Sequence, residues 1–129
     1  MLKDEEIDSA PSSIAKVKVQ KSDSDSFTSD SVVVEEPLEI RLKQGDHEEQ
    51  LGITMRTPGS DLELTAGFLW GEGFLSNPKE LIQVKVCADR SLTPRQRANV
   101  VIAEITANAP KPPRSMERRF TMTSACGVC

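Results

Sequence analysis

The sequence predicts a mixed α/β domain, and three observations carry that expectation. Apolar and polar residues alternate in three separate stretches: Leu38, Ile40 and Leu42; Leu51, Ile53 and Met55; Ile82, Val84 and Val86. A period of two is the pattern of strands with one buried face. Between the second and third stretches lies Ser60–Trp70, whose apolar residues recur at helical spacing. A further apolar run, Asn99–Thr106 (NVVIAEIT), predicts a fourth strand.

Residues 1–31 are expected to form a polar leader without fixed structure, ahead of one domain over 32–129. Its segment Ser22–Ser31 (SDSDSFTSDS) holds five Ser and three Asp around one aromatic, too little apolar surface to offset the entropy of ordering it. Order is expected from Val32. In VVVEEPLEIRL, Pro37 has no N–H to donate, which predicts an edge position or a bend. Lys43–Gln50 reads as a turn longer than the tight two-residue type, joining this strand to Leu51–Thr57 as a β-hairpin. Pro58-Gly59 ends the second strand.

Ser60-Asp61-Leu62-Glu63 has the form of a capping box, with Ser60 accepting from the N–H of Glu63 and the Glu63 side chain returning to the N–H of Ser60. Asp61 and Glu63 also suit the positive end of the helix dipole. Leu62, Ala66 and Leu69, with Phe68, are expected on the buried face. Gly71 and Gly73 are natural terminators, and Trp70 and Phe74 are assigned to packing. Leu81–Cys87 is the third strand, followed by a polar turn with Arg95 and Arg97. NAPKPPRSMERR is a loop in which Lys111, Arg114, Arg118 and Arg119 outnumber Glu117. RFTMTS then predicts a short fifth strand that delivers the chain to Cys126.

At 129 residues the chain holds at most one ordinary domain. Aromatics are only 4% and Tyr is absent, so the core must be built from Val, Ile, Leu and Ala. The net charge of −4 hides an asymmetry: 15 acids and 7 bases up to Glu63, then 5 acids and 9 bases from Leu64 onward. A basic second half suits an anionic ligand, or simply an ordinary surface beside an acidic leader. No apolar run approaches the length of a membrane span. The acidic start, MLKDEEIDSA, lacks a secretory signal pattern. The expected compartment is therefore the cytoplasm, with neither membrane nor nucleic acid as partner. In a reducing compartment, close-spaced thiols serve catalysis or metal binding more often than structural disulfides.

Cys126 and Cys129 form a CxxC pair within TMTSACGVC. A structural zinc site needs four ligands, commonly as two close pairs. The other candidates, Cys87 and His47, are not spaced as a second pair, so no intrachain metal site is expected. Thioredoxin-like chemistry activates its first Cys at the start of a long helix, for which no residues follow Cys129 here. Sulfur carriage needs an exposed thiolate on a loop in a positive field, and Gly127 together with Arg118 and Arg119 fits that requirement. One CxxC by itself leaves zinc, redox and sulfur readings open.

Three words in fixed order narrow the choice: VEEPLEIRL, ITMRTPGSDLELTAGFLWGEGF and FTMTSACGVC. Over roughly Val33–Cys129 the sequence resembles the FdhD family, the sulfurtransferase accessory proteins of formate dehydrogenase. The resemblance implies a cytoplasmic, dimer-forming sulfur carrier with no tightly bound cofactor. It takes sulfur from a cysteine desulfurase and passes it to the molybdenum (or tungsten) bis-guanine-dinucleotide cofactor of formate dehydrogenase. It implies Cys126 as the persulfide-bearing residue and Cys129 as the accessory thiol. It also implies a cytidine-deaminase-like sandwich, a mixed sheet with helices, although the HxE element of deaminase chemistry is absent. Family chains continue past the CxxC, so this chain is expected to be a front part, truncated after that motif. No cofactor-binding residue can be named within it. Exposed apolar faces and open strand edges are expected to make it unstable alone or dependent on a partner.

Overall fold

A computed structural model describes residues 11–110 and 120–121. The elements run β1 (Ile14–Gln20), β2 (Phe27–Val33), β3 (Glu36–Gln44), β4 (His47–Arg56), α1 (Asp61–Gly71), a 3₁₀ turn (Pro78–Glu80), β5 (Leu81–Val86), α2 (Pro94–Ala98), β6 (Val100–Ile105) and β7 (Phe120–Thr121). Five strands form a mixed sheet in the order β5-β6-β3-β4-β7. β3 is antiparallel to β4 and parallel to β6, β5 is antiparallel to β6, and β7 is parallel to β4. The expected α/β class with a mixed sheet is what forms.

The alternation in β3 sets the layering. Leu38, Ile40 and Leu42 are almost wholly buried on one face. Their register partners Val101 and Ala103, with Ile105, extend the same face across β6. α1 lies over it, contributing Leu69 and Phe68, and the segment after the helix adds Phe74 and Leu75. Each fully buried aliphatic side chain contributes about 1.5–3 kcal/mol. Pro37 stands in the central strand rather than on an edge. It is tolerated because β6 begins to pair only at Glu39, beyond the position that has no N–H.

The end of α1 follows from Gly73, whose φ of +78° is the left-handed conformation that glycine adopts without strain. The Phe74 N–H donates to the Leu69 carbonyl and the Gly73 N–H to the Trp70 carbonyl, a Schellman closure. Phe74 then turns back onto Phe68 with ring centroids 6.3 Å apart. Both the termination at Gly73 and the packing role of Phe74 are as expected.

Several expectations give way. The leader is not structureless: β1 and β2 form an antiparallel hairpin in continuous register from Ile14↔Val33 to Gln20↔Phe27. Its ladder is backbone-made, and every residue of β2 is exposed. The low apolar content therefore did prevent burial, but not strand pairing. The β3–β4 loop is tight, not long: Gln44 pairs with His47, and Gly45 (φ +63°) precedes Asp46, the φ pattern of a type II′ turn. A bulge at Leu51 then shifts the register, turning Ile53 and Met55 to the face away from α1.

The Ser60 cap does not form, because its backbone (φ −121°, ψ 44°) is outside the extended conformation that aims a capping hydroxyl. Leu62 and Trp70 are not packed inward; they are 41% and 52% exposed, while Thr65 and Leu69 face the sheet. Ile82, at a bulge in β5, and Val86 also face outward. The polar turn near Arg95 contains α2, with a Thr93/Gln96 capping box and Pro94 at its start. The short strand at Phe120 exists as the edge strand β7.

Leu69→Ala should cost about 2–5 kcal/mol of unfolding free energy. Gly73→Ala should cost about 1–2 kcal/mol, because alanine would be held at positive φ. Urea unfolding of the full chain checks both. A Gly73→Ala protein as stable as the parent would contradict the closure described for α1.

Candidate functional site

The two cysteines expected to carry the chemistry, Cys126 and Cys129, lie outside the described residues, as does most of the basic loop over 111–119. The structure does describe the strand ahead of them. β7 pairs Phe120 with Gly52 and Thr121 with Ile53. Being parallel to β4, it points the chain at Thr121 toward the end of the sheet where Arg56 lies.

That end is built around a buried arginine. Arg56 is 6% exposed. Its Nε donates to Asp61 Oδ1 at 2.8 Å and its Nη2 to Asp61 Oδ2 at 2.9 Å, a two-pronged pair across the Pro58-Gly59 turn. Nη1 donates to the Glu36 carbonyl at 3.3 Å, and Nη2 to the Asn99 side chain at 2.9 Å and the Ala98 carbonyl at 3.3 Å. Asn99 in turn donates to Glu36 Oε2 at 2.8 Å, and Arg95 donates to the other Glu36 oxygen. Two guanidinium groups thus meet two carboxylates, and the network is neutral. One side chain ties the ends of β3, β4 and α2 to the first residue of α1. Among the described residues no buried side-chain polar atom lacks a hydrogen-bond partner.

On the sheet face away from α1, beside this network, lies an open pocket of about 320 Å³. Pro37, Ile53, Leu92 and Val100 give it an apolar lining, and its polar side chains are already engaged. Arg41 donates to Glu39 at 2.6 Å, and that carboxylate, against the opposing effect of burial, holds the Arg41 guanidinium protonated even more firmly than usual. Gln96 closes the α2 cap, and Asn99 belongs to the Arg56 network. Ile53, in the pocket wall, is the register partner of Thr121 in β7.

Cys87 and His47 are not brought together. Cys87 is buried, its N–H bonded to the Val100 carbonyl beside Glu39. His47 is exposed beside Gln44. Five residue steps along β3 separate those levels, about 16 Å at strand spacing. Among the described residues no group of three or more His, Cys, Asp or Glu is placed to hold a metal ion. Among them, too, no helix is long and apolar enough to cross a membrane.

Sequence reasoning missed Arg56, Glu36 and Asn99 and assigned Asp61 only a dipole role. Alternation from Leu51, Ile53 and Met55 puts Arg56 on the exposed phase, and only the bulge at Leu51 turns it inward beside Asp61 and Asn99.

These features define a small mixed α/β scaffold whose edge strand leads into a CxxC. Residues 33–129 match the FdhD/NarQ family, and the chain belongs to that family. It is similar to the sulfur carrier protein FdhD of Streptomyces coelicolor, 41% identical over 100 residues, which are 78% of this chain and 34% of that protein. It is likewise similar to the sulfur carrier protein FdhD of Sulfolobus acidocaldarius, 33% identical over 119 residues, or 90% of this chain and 40% of that protein. The chain therefore spans between a third and two-fifths of the length of these relatives. A crystal structure described as a formate dehydrogenase accessory protein from Desulfotalea psychrophila shares the fold, with a TM-score of 0.53 at 22% identity, over 84% of this chain and 41% of that one.

Replacing Arg56 by methionine should destabilise the chain by about 2–4 kcal/mol, because the half-buried Asp61 and Asn99 would lose their donor. Asp61→Asn should cost less, since an amide oxygen can still accept. Thermal unfolding of the two variants side by side measures the difference, and equal losses would contradict the bidentate reading.

Proposed function

We propose that this chain is a sulfur carrier that bears its sulfur as a persulfide on Cys126. The observation that carries the reading is the extent of the family match. It extends from residue 33 to Cys129 and so takes in both cysteines, and the relatives named above are called sulfur carrier proteins. The proposed donor is a cysteine desulfurase persulfide. The Cys126 thiolate attacks its outer sulfur, the donor S–S bond breaks, the desulfurase thiolate leaves, and a new S–S bond forms on Cys126. Cys129 is the accessory thiol. It can attack the inner sulfur of the Cys126 persulfide, releasing hydrosulfide and leaving a disulfide between the two residues.

The proposed acceptor substrate is the molybdenum (or tungsten) bis-guanine-dinucleotide cofactor destined for formate dehydrogenase, with transfer taking place in the cytoplasm. A second reading is favoured by the chain's span of about a third of its relatives: a fragment that binds the desulfurase or formate dehydrogenase but does not complete the transfer.

Incubation with a cysteine desulfurase and cysteine should add one sulfur atom to the intact chain by mass spectrometry. Cys126→Ser should abolish the adduct, while Cys129→Ser should still form it. An adduct that survives Cys126→Ser would place the sulfur elsewhere. Rescue of formate dehydrogenase activity in a strain lacking the carrier separates the readings: restored activity supports complete transfer, and an adduct without rescue supports the binding-only fragment.

A further inference from the structure

We propose that the β1–β2 hairpin is an exchanged arm that adds, through β2, to the open β5 edge of a second copy of this chain. The hairpin lies ahead of the family-matched residues, which begin at 33. Two strands alone are marginal in water, and this pair exposes Ile14, Phe27, Val32 and Val33, by 57%, 66%, 41% and 68%. It forms a sheet of its own, separate from the five-stranded one. Both of its outer edges are therefore without a neighbour among the described residues.

The opposite requirement stands at β5. Among the described residues it ends the five-stranded sheet, pairs only with β6, and exposes Ile82 and Val86. The bulge at Ile82 leaves Gln83–Val86 as the regular stretch open to pairing.

Charge selects which hairpin strand meets it. β1 carries Lys16 and Lys18, and lysine on an edge discourages pairing. β2 and its turn carry Asp23, Asp25 and Asp30, with no base from Ser22 to Glu36. Beside β5, Glu80 is engaged by Ser76 and Glu104 by Gln83 and Lys43, while Lys79 and Lys85 are exposed. An acidic strand therefore faces a basic edge.

Geometry selects the second copy. Only Val34 and Glu35 link β2 to β3, so the Val33–Glu36 span is at most about 11 Å. A strand added outside β5 would lie three strand spacings from β3, about 14 Å. The hairpin cannot reach the β5 edge of its own chain. Between two copies related by a two-fold axis, each donates one hairpin and accepts one, and both edges are satisfied by one contact type. Each five-stranded sheet would then become seven-stranded.

Sedimentation of the full chain over a concentration series tests the proposal. The chain should dimerise. The substitutions Lys79→Glu and Lys85→Glu, both at exposed positions, should weaken the dimer by about tenfold or more. Adding Asp23→Lys, Asp25→Lys and Asp30→Lys to that variant should restore it. Amide hydrogen exchange gives an independent readout that needs no variant, because β2 and Gln83–Val86 should gain protection together as concentration rises. A chain monomeric throughout, a dimer indifferent to the lysine reversals, a failure of the aspartate reversals to rescue, or unchanging exchange at β2 and β5 would each overturn it. A dimer indifferent to the reversals would point to a different surface of the chain as the interface.

Discussion

Arg56 is the residue on which the architecture turns. A guanidinium at the end of β4, almost without exposure, must find acceptors for its donors or the strand cannot end where it does. The acceptors come from three places in the sequence: Glu36, Asp61, and the adjacent Ala98 and Asn99. Satisfying them fixes where β3 begins, where α1 starts and where β6 enters the sheet. Asp61 is held by Arg56 and its carbonyl accepts from the Thr65 hydroxyl at 2.7 Å, which ties the first turn of α1 to the end of β4.

The apolar core and this polar end divide the work along β3. Leu38, Ile40 and Leu42 supply the burial that holds α1 on the sheet, while Glu36 anchors the network one step before them. The face away from α1 is left partly apolar, because the bulge at Leu51 sends Ile53 and Met55 there. β7 joins the sheet beside Ile53, so the strand that precedes the CxxC in sequence borders a face left open among the described residues, and it runs toward the Arg56 end.

Several apolar groups face outward on what is described here: Leu62 and Trp70 on α1, Ile82 and Val86 on β5, Phe27 and Val33 on β2. The hairpin and the β5 edge differ from the helix stripe because they offer backbone groups as well as side chains. Strand addition satisfies both at once.

The sequence alone determined the class of fold, the extents of β3, β5 and β6 to within a residue or two, the closure of α1 by Gly73, and membership of the FdhD/NarQ family. These are local matters, legible from period-two alternation, from a glycine after a helix, and from ordered motif words. Tertiary structure decided the rest. Periodicity names a buried face but not its neighbour, so it could not show that β3 lies at the centre or that Leu62 turns outward. A bulge at Leu51 reverses the faces beyond it, and no alternation count reveals that before the partner strand is in place. The Arg56 network joins residues up to 63 positions apart. Its members look like ordinary surface charges until the fold buries them, and burial is what makes their pairing obligatory.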